Sequence, residues 1–169
     1  MNGRVYCYTG DGSGKTTAAF GLALRAAGHG KRVVVVQFMK GRPEVGEHKG
    51  KNLIPHLEVH QFGRKQFINL HKPSETDKKL AQKGLEFARK TLSEHPFLLV
   101  LDEINLAAAV GLISPRQIIS LLKKRGRTHV VLTGRYAPPE LINYADYVTY
   151  VIDVKKPIPL LKDTKGIEW

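Results

Sequence analysis

Three short stretches carry residue types suited to phosphate and metal chemistry: Thr9-Gly10-Asp11-Gly12-Ser13-Gly14-Lys15-Thr16, Asp102-Glu103 and Thr133-Gly134-Arg135. The first departs from the phosphate-loop pattern G-x-x-x-x-G-K-[ST] only at its opening place, where Thr9 stands instead of glycine. Gly10, Gly12 and Gly14 allow the backbone positive φ, so that its N–H groups turn inward and, with a helix N-terminus, form a nest for anionic oxygens. Lys15 then supplies a point charge for a phosphate chain, and the Thr16 hydroxyl is placed to hold Mg²⁺ or Mn²⁺. The plain alternative is a glycine-rich turn joining strand to helix, but Gly-Lys-Thr at a helix start has no packing reason. Asp102 and Glu103 end the apolar run Leu99-Val100-Leu101. Acids in that place complete a magnesium site beside a phosphate loop, directly or through water. Taken alone, Asp102 serves equally well as a helix cap. Arg135 is a candidate phosphate clamp or, more simply, an exposed loop arginine.

These residues need elements to position them, and the chain alternates short β-like runs with helical patterns, the signature of a parallel sheet covered by helices. Strands are expected at 4–8, 33–36, 57–62 (the weakest), 97–101, 129–132 and 147–151. The unbroken Val33-Val34-Val35-Val36 run predicts a strand buried on both faces. Phe20, Ala23, Leu24 and Ala27 share one face of a helix over 16–27 that Gly28 stops, and Ala81, Leu85, Ala88 and Leu92 form the stripe of a second. A third runs from Pro115 to about Lys124 with Ser114 as its N-cap. Residues 40–56 show too little periodicity to assign. The fold class expected is α/β: a three-layer αβα sandwich on a mostly parallel sheet, with a P-loop NTPase core of the RecA-like kind, as one domain over 1–169.

Composition narrows the function classes. A chain of 169 residues with 42% hydrophobic and 25% charged residues is that of an ordinary globular protein. No apolar run approaches the roughly 18 residues needed to span a bilayer, and the start has no signal-peptide apolar region, so a cytoplasmic protein without membrane contact is expected. The single cysteine, Cys7, excludes an intrachain disulfide and a cysteine-based metal cluster, and its apolar setting predicts a buried, inert thiol. A formal charge of +12 favours anionic partners, although a lysine-rich solvated surface accounts for it equally.

The runs Tyr8-Thr9-Gly10-Asp11-Gly12-Ser13-Gly14-Lys15-Thr16-Thr17-Ala18-Ala19-Phe20-Gly21, Arg25 to Lys31 and Val36-Gln37-Phe38-Met39-Lys40-Gly41 together resemble the phosphate-loop class of ATP:corrinoid adenosyltransferases. The likeness continues through Leu101-Asp102-Glu103, Thr133-Gly134-Arg135, Ala145 to Thr149 and the ending Lys165 to Trp169, and Thr at the head of the loop is usual in that family. The resemblance implies transfer of the 5′-deoxyadenosyl group of ATP to the Co(I) of a reduced corrinoid with release of triphosphate, in cobalamin biosynthesis or salvage, and a nucleotide lying reversed across the loop. It places nucleotide contacts at Gly10, Asp11, Gly12, Ser13, Gly14, Lys15, Thr16, Thr17 and Arg25. Metal contacts fall at Thr16, Asp102 and Glu103, and catalytic roles at Lys15, Glu103 and Arg135. A reductase supplying Co(I) and a homodimer are its implied partners.

Two departures from the family pattern stand out. An aromatic pair Phe-x-Trp, associated there with removal of the corrinoid's lower ligand, is Phe67 and Asn69 here, and the one tryptophan is Trp169. Phe62 or Phe67 would have to supply the apolar contact, although both serve equally well as core residues. Some family members close the site with an N-terminal extension; here the first strand is expected within about four residues of Met1, so residues 40–52, with Glu47, and the tail from Asp153 are the expected covers. A phosphoryl-transfer kinase is the nearest rival, but a zinc-bearing lasso needs several cysteines. A nucleic-acid-stimulated ATPase rests on charge alone, with no basic run interleaved by aromatics, so nucleic acid is not expected.

Overall fold

Unbroken β-branched runs require cover on both faces, and the computed structural model, which describes residues 2–66, 68–157 and 164–167, supplies it. Six strands, β1 (Val5–Thr9), β2 (Val33–Phe38), β3 (Leu57–Phe62), β4 (Leu98–Asp102), β5 (His129–Thr133) and β6 (Tyr147–Tyr150), form one sheet in the order β3-β2-β4-β5-β1-β6. Every pairing is parallel. The helices are α1 (Lys15–Gly28), α2 (Gly46–Gly50), α3 (Glu75–Ser93), α4 (Ile104–Ala109), α5 (Pro115–Leu122) and α6 (Pro139–Tyr144). On one face α1 covers Val33, Val35, Val100 and Val131; on the other α3 to α6 cover Val34, Val36, Leu99, Leu101 and Leu132. This is the three-layer sandwich the alternation predicts. Among the described residues no helix is long and apolar enough to cross a membrane.

The face that α1 buries differs from expectation. Ala19, Ala23, Ala26 and Ala27 face the sheet, whereas Leu24 is 55% exposed and Phe20 only partly covered. Alanine stripes let a helix axis approach the strands, which saves more contact than a leucine that would hold it off. The stripe of α3 follows the sequence: Ala81, Leu85, Ala88 and Leu92 are all buried. So does the start of α5, where Ser114 and Gln117 form a capping box with Pro115 in the first turn. Helices α2, α4 and α6, of 5, 6 and 6 residues, are too short to declare a period. Cys7 is buried as expected, and burial pushes its thiol pKa up.

Before α3, the chain is tied by a second capping box. Ser74 Oγ accepts the Asp77 N–H, and Asp77 Oδ2 accepts the Ser74 N–H at 2.9 Å. Arg64 adds two bonds to the same carboxylate, at 2.7 and 3.0 Å. The Arg64 guanidinium, helped by Ser74, holds the Asp77 pKa down from 3.8 to about 2. That difference stabilises the fold by about 2 kcal/mol, reduced to about 1 by screening at a partly exposed arginine. Because the folded pKa is the lower one, this stability is complete above about pH 4 and lost as pH falls through 2. Asp77→Asn should therefore melt below the wild type at pH 6, and the gap should close by pH 2 in a thermal scan across that range.

Candidate active site

Parallel strands bring their carboxyl ends to one edge of the sheet, and ligands of open α/β sheets bind there. At this edge the chain leaves β1 through Gly10, at φ 98°, and enters α1 behind Gly14, at φ 95°. The first α1 bond to a preceding carbonyl is Ala18 N–H to Gly14 O at 2.8 Å, so among the described residues the Lys15, Thr16 and Thr17 amides have no carbonyl partner. Three outward N–H groups at the positive end of a helix form an anion cradle.

Gly12 corrects one expectation, because it does not take positive φ. A Cβ there would lie 2.7 Å from the Ile152 carbonyl carbon, and its N–H donates to Val151 O at 2.9 Å. Its role is close approach of the segment that follows β6. That segment also holds Ser13, whose N–H donates to Asp153 Oδ1 at 2.9 Å and whose hydroxyl meets Oδ2 at 3.2 Å. Lys15 is buried, at 8% exposure, and its ammonium is turned back onto the Gly12 carbonyl. Burial, then the charge of Arg135, lowers its pKa.

Below the loop lies Asp102, fully buried at the end of β4. Its Oδ1 accepts the hydroxyls of Thr16 at 2.8 Å and Thr133 at 2.7 Å; its Oδ2 accepts Gln37 Nε2 at 3.0 Å and Lys40 Nζ at 2.8 Å. Register explains the convergence: Gln37 is paired with Asp102 across β2 and β4, and Thr133 follows Leu132, the partner of Leu101. Gln61 extends the network, donating to Gln37 Oε1 at 3.0 Å and to Arg42 O at 3.2 Å. Burial alone would raise the Asp102 pKa, but the Lys40 ammonium and the two hydroxyls outweigh it and hold the pKa below its ordinary value. The carboxylate is not a helix cap. It is a fully bonded anion that fixes the Thr16 hydroxyl.

Glu103 stands at φ 63°, a conformation costly for a side chain other than glycine, with its N–H on Thr133 Oγ1 at 3.0 Å. Its carboxylate accepts no hydrogen bond among the described residues, and burial, then the Asp102 charge, raises its pKa. Lys40, Lys15 and Arg135 all act on it electrostatically. Arg135 is exposed yet close enough to influence both Lys15 and Glu103. Asn105, fully buried, links β1 to the turn after β5 by donating to Tyr8 O at 3.2 Å and Gly134 O at 3.3 Å. The loop residues, Asp102, Glu103 and Arg135 are thus brought together. Arg25 is not: it sits in the exposed last turn of α1, about 15 Å along the helix from Lys15, within electrostatic reach of Tyr8.

The oxygens that could face a cation, Thr16 Oγ1 and the Glu103 carboxylate with the fully bonded Asp102 behind them, are all hard donors, the set that suits Mg²⁺ or Mn²⁺. Among the described residues no group of three His, Cys, Asp or Glu could hold a metal. Lys40, Gln37, Asn105 and Asp153 escape the motif reading. Gln37 and Lys40 lie in the run Val36 to Gly41 that carries the resemblance, and Asp153 opens the candidate cover, but spacing alone gives none of them a role. Phe62 packs on the core beside Phe87, with ring centres 5.3 Å apart, and Asn69 is exposed, its Oδ1 accepting the His71 N–H at 3.1 Å. Phe67 and Trp169 lie outside the described residues.

Comparison with known proteins bears on this geometry. The family model described as ATP:corrinoid adenosyltransferase BtuR/CobO/CobP matches residues 1–169. A corrinoid adenosyltransferase of Sinorhizobium is 35% identical over 178 residues, covering 99% of this chain and 80% of that protein. One from Pseudomonas aeruginosa is 33% identical over 170 residues, with 99% and 84% covered. Corrinoid adenosyltransferase CobA of Salmonella typhimurium is 37% identical over 172 residues, with 99% and 86% covered. A phosphate-loop strand and an acid-bearing strand meeting over one threonine, together with a match along the whole chain, place this protein in the ATP:corrinoid adenosyltransferase family.

Proposed function

We propose that the cradle at Gly10–Thr17 binds the triphosphate of ATP and that the enzyme transfers the 5′-deoxyadenosyl group to the Co(I) of a reduced corrinoid, in cobalamin biosynthesis or salvage. The observation that carries the site assignment is the Thr16–Asp102 hydrogen bond of 2.8 Å at the start of α1, where among the described residues the Lys15, Thr16 and Thr17 amides have no carbonyl partner. In the reaction the cobalt electron pair of the substrate forms a bond to C5′ of the ribose, the C5′–O bond breaks, and its electron pair leaves with triphosphate. No protein base is needed, because no proton moves. The chain's work is to position the donor and to stabilise the departing charge. Lys15 exchanges the Gly12 carbonyl for a phosphate oxygen, and a desolvated ammonium gains more from that exchange than a hydrated one. Arg135 reaches the same chain from β5. Thr16 and Glu103, with Asp102 behind them, would hold Mg²⁺ or Mn²⁺, which would supply positive charge against the phosphate oxygens. Asp102 has all four acceptor positions filled, so its part is to aim Thr16.

Residues 40–52 fold with α2, and Glu47 there comes within electrostatic reach of Lys40, which supports this segment as the cover of the site. A reductase must deliver Co(I). A homodimer would bury the exposed Tyr147, Val148 and Tyr150 of edge strand β6. One domain in the cytoplasm completes the reading, and no observation favours phosphoryl transfer or a nucleic-acid-stimulated ATPase.

The test mixes protein, Mg-ATP and a Co(I) corrinoid. Co–C bond formation in the absorbance spectrum with one triphosphate per adenosyl group is expected; ADP and orthophosphate in their place would refute it. In the same assay Glu103→Gln should need roughly tenfold more metal for half-maximal rate with an unchanged melting curve. Superimposable metal titrations would remove Glu103 from the ligand set.

A further inference from the structure

We propose that Lys40 is the resident cation of the metal position: without nucleotide its ammonium takes the place between Asp102 and Thr16, and the divalent ion enters only when phosphate oxygens draw Lys40 away. This rests on the assignment of Thr16 to the metal given above. The ammonium lies 2.8 Å from Asp102 Oδ2 and 3.4 Å from Thr16 Oγ1, touching the hydroxyl that would hold a metal and the carboxylate that aims it. The Thr16 hydroxyl donates its proton to Asp102 and so turns a lone pair outward, which Lys40 meets. An ion bonded to that oxygen at about 2.1 Å would share a single hydroxyl with a second positive charge.

Local geometry keeps Lys40 at its post. Met39 takes φ 60° and its N–H donates to Phe62 O at 3.0 Å, which re-aims the chain just before Lys40. Behind it, backbone lies on backbone: a Cβ on Gly63 would come within 2.3 Å of the Met39 carbonyl carbon. The Arg64–Asp77 pair anchors the far side of this contact to α3. The backbone is therefore fixed while the side chain, 30% exposed, keeps a path to the mouth of the site. Asp102 needs this cation, because its other three partners are neutral and a fully buried carboxylate without a counter-charge is unfavourable. A triphosphate offers Lys40 a richer anion, and a divalent ion can then take over the counter-charge role. The device makes metal uptake conditional on nucleotide.

The experiment titrates Mn²⁺ alone, followed by the electron paramagnetic resonance of the free ion, into the nucleotide-free wild type, Lys40→Met and Thr16→Val. The wild type should show no saturable site, whereas Lys40→Met should bind Mn²⁺ at least about tenfold more tightly and gain melting temperature from it. Equal Mn²⁺ affinities for wild type and Lys40→Met overturn the proposal. So does a saturable wild-type site that Thr16→Val abolishes, a result that stands even if Lys40→Met does not fold. None of these readings uses ATP. Failure of the wild type to bind Mg-ATP would instead count against the nucleotide assignment, so the two failures are told apart.

Discussion

Lys15→Ala is expected to weaken Mg-ATP binding by at least about a hundredfold, an effect of about 3 kcal/mol, the scale of one preorganised donor to a phosphate in a dry site. Stability should barely change, for a reason the sequence does not display. Lys15 is not an exposed loop lysine but a buried one, bonded to the Gly12 carbonyl and close to the like charge of Arg135. Its removal loses one charge-assisted bond and also relieves a desolvated cation, two terms of similar size and opposite sign. Calorimetric titration with Mg-ATP and a melting curve on the same sample check both halves. Wild-type affinity in the variant would move the phosphate site away from the loop.

Asp102→Ala should show the reverse pattern in stability, with a loss of about 3–5 kcal/mol, because the Lys40 ammonium and the Gln37 amide are left facing a cavity without an acceptor. Mg-ATP binding should fall with it, since the Thr16 hydroxyl loses the group that aims it. Adding Lys40→Met to Asp102→Ala should restore part of the stability, because removing both members of a buried pair is far less unfavourable than removing one. Urea unfolding of the two single variants and the double variant closes the cycle. Strict additivity would show that Asp102 and Lys40 do not depend on each other.

The limits of sequence reading follow the range of the physical effect concerned. The strands expected at 33–36 and 97–101, observed as β2 and β4, were legible because burial on both faces demands continuous apolar residues, and α3 because a long helix repeats its stripe several times. The face of α1 was misjudged because periodicity weighs a leucine above an alanine, whereas packing against a sheet rewards the smaller residue. Asn69 and Arg25 came from the family resemblance. The structure puts the first on the surface in a local turn and the second in the last turn of α1, away from the loop.

By itself the amino-acid order determined the strand–loop–helix unit around Gly10–Thr16, the acids at the end of β4 and the parallel α/β class, because each depends on backbone preferences or burial within a dozen neighbouring residues. Only the tertiary structure decided that Lys40, Gln37, Thr133 and Thr16 converge on one carboxylate, that Ile152 requires glycine at position 12, and that Asp153 meets Ser13. Those contacts arise from strand order and register, which bring residues far apart in the chain to one sheet edge. No local spacing encodes them.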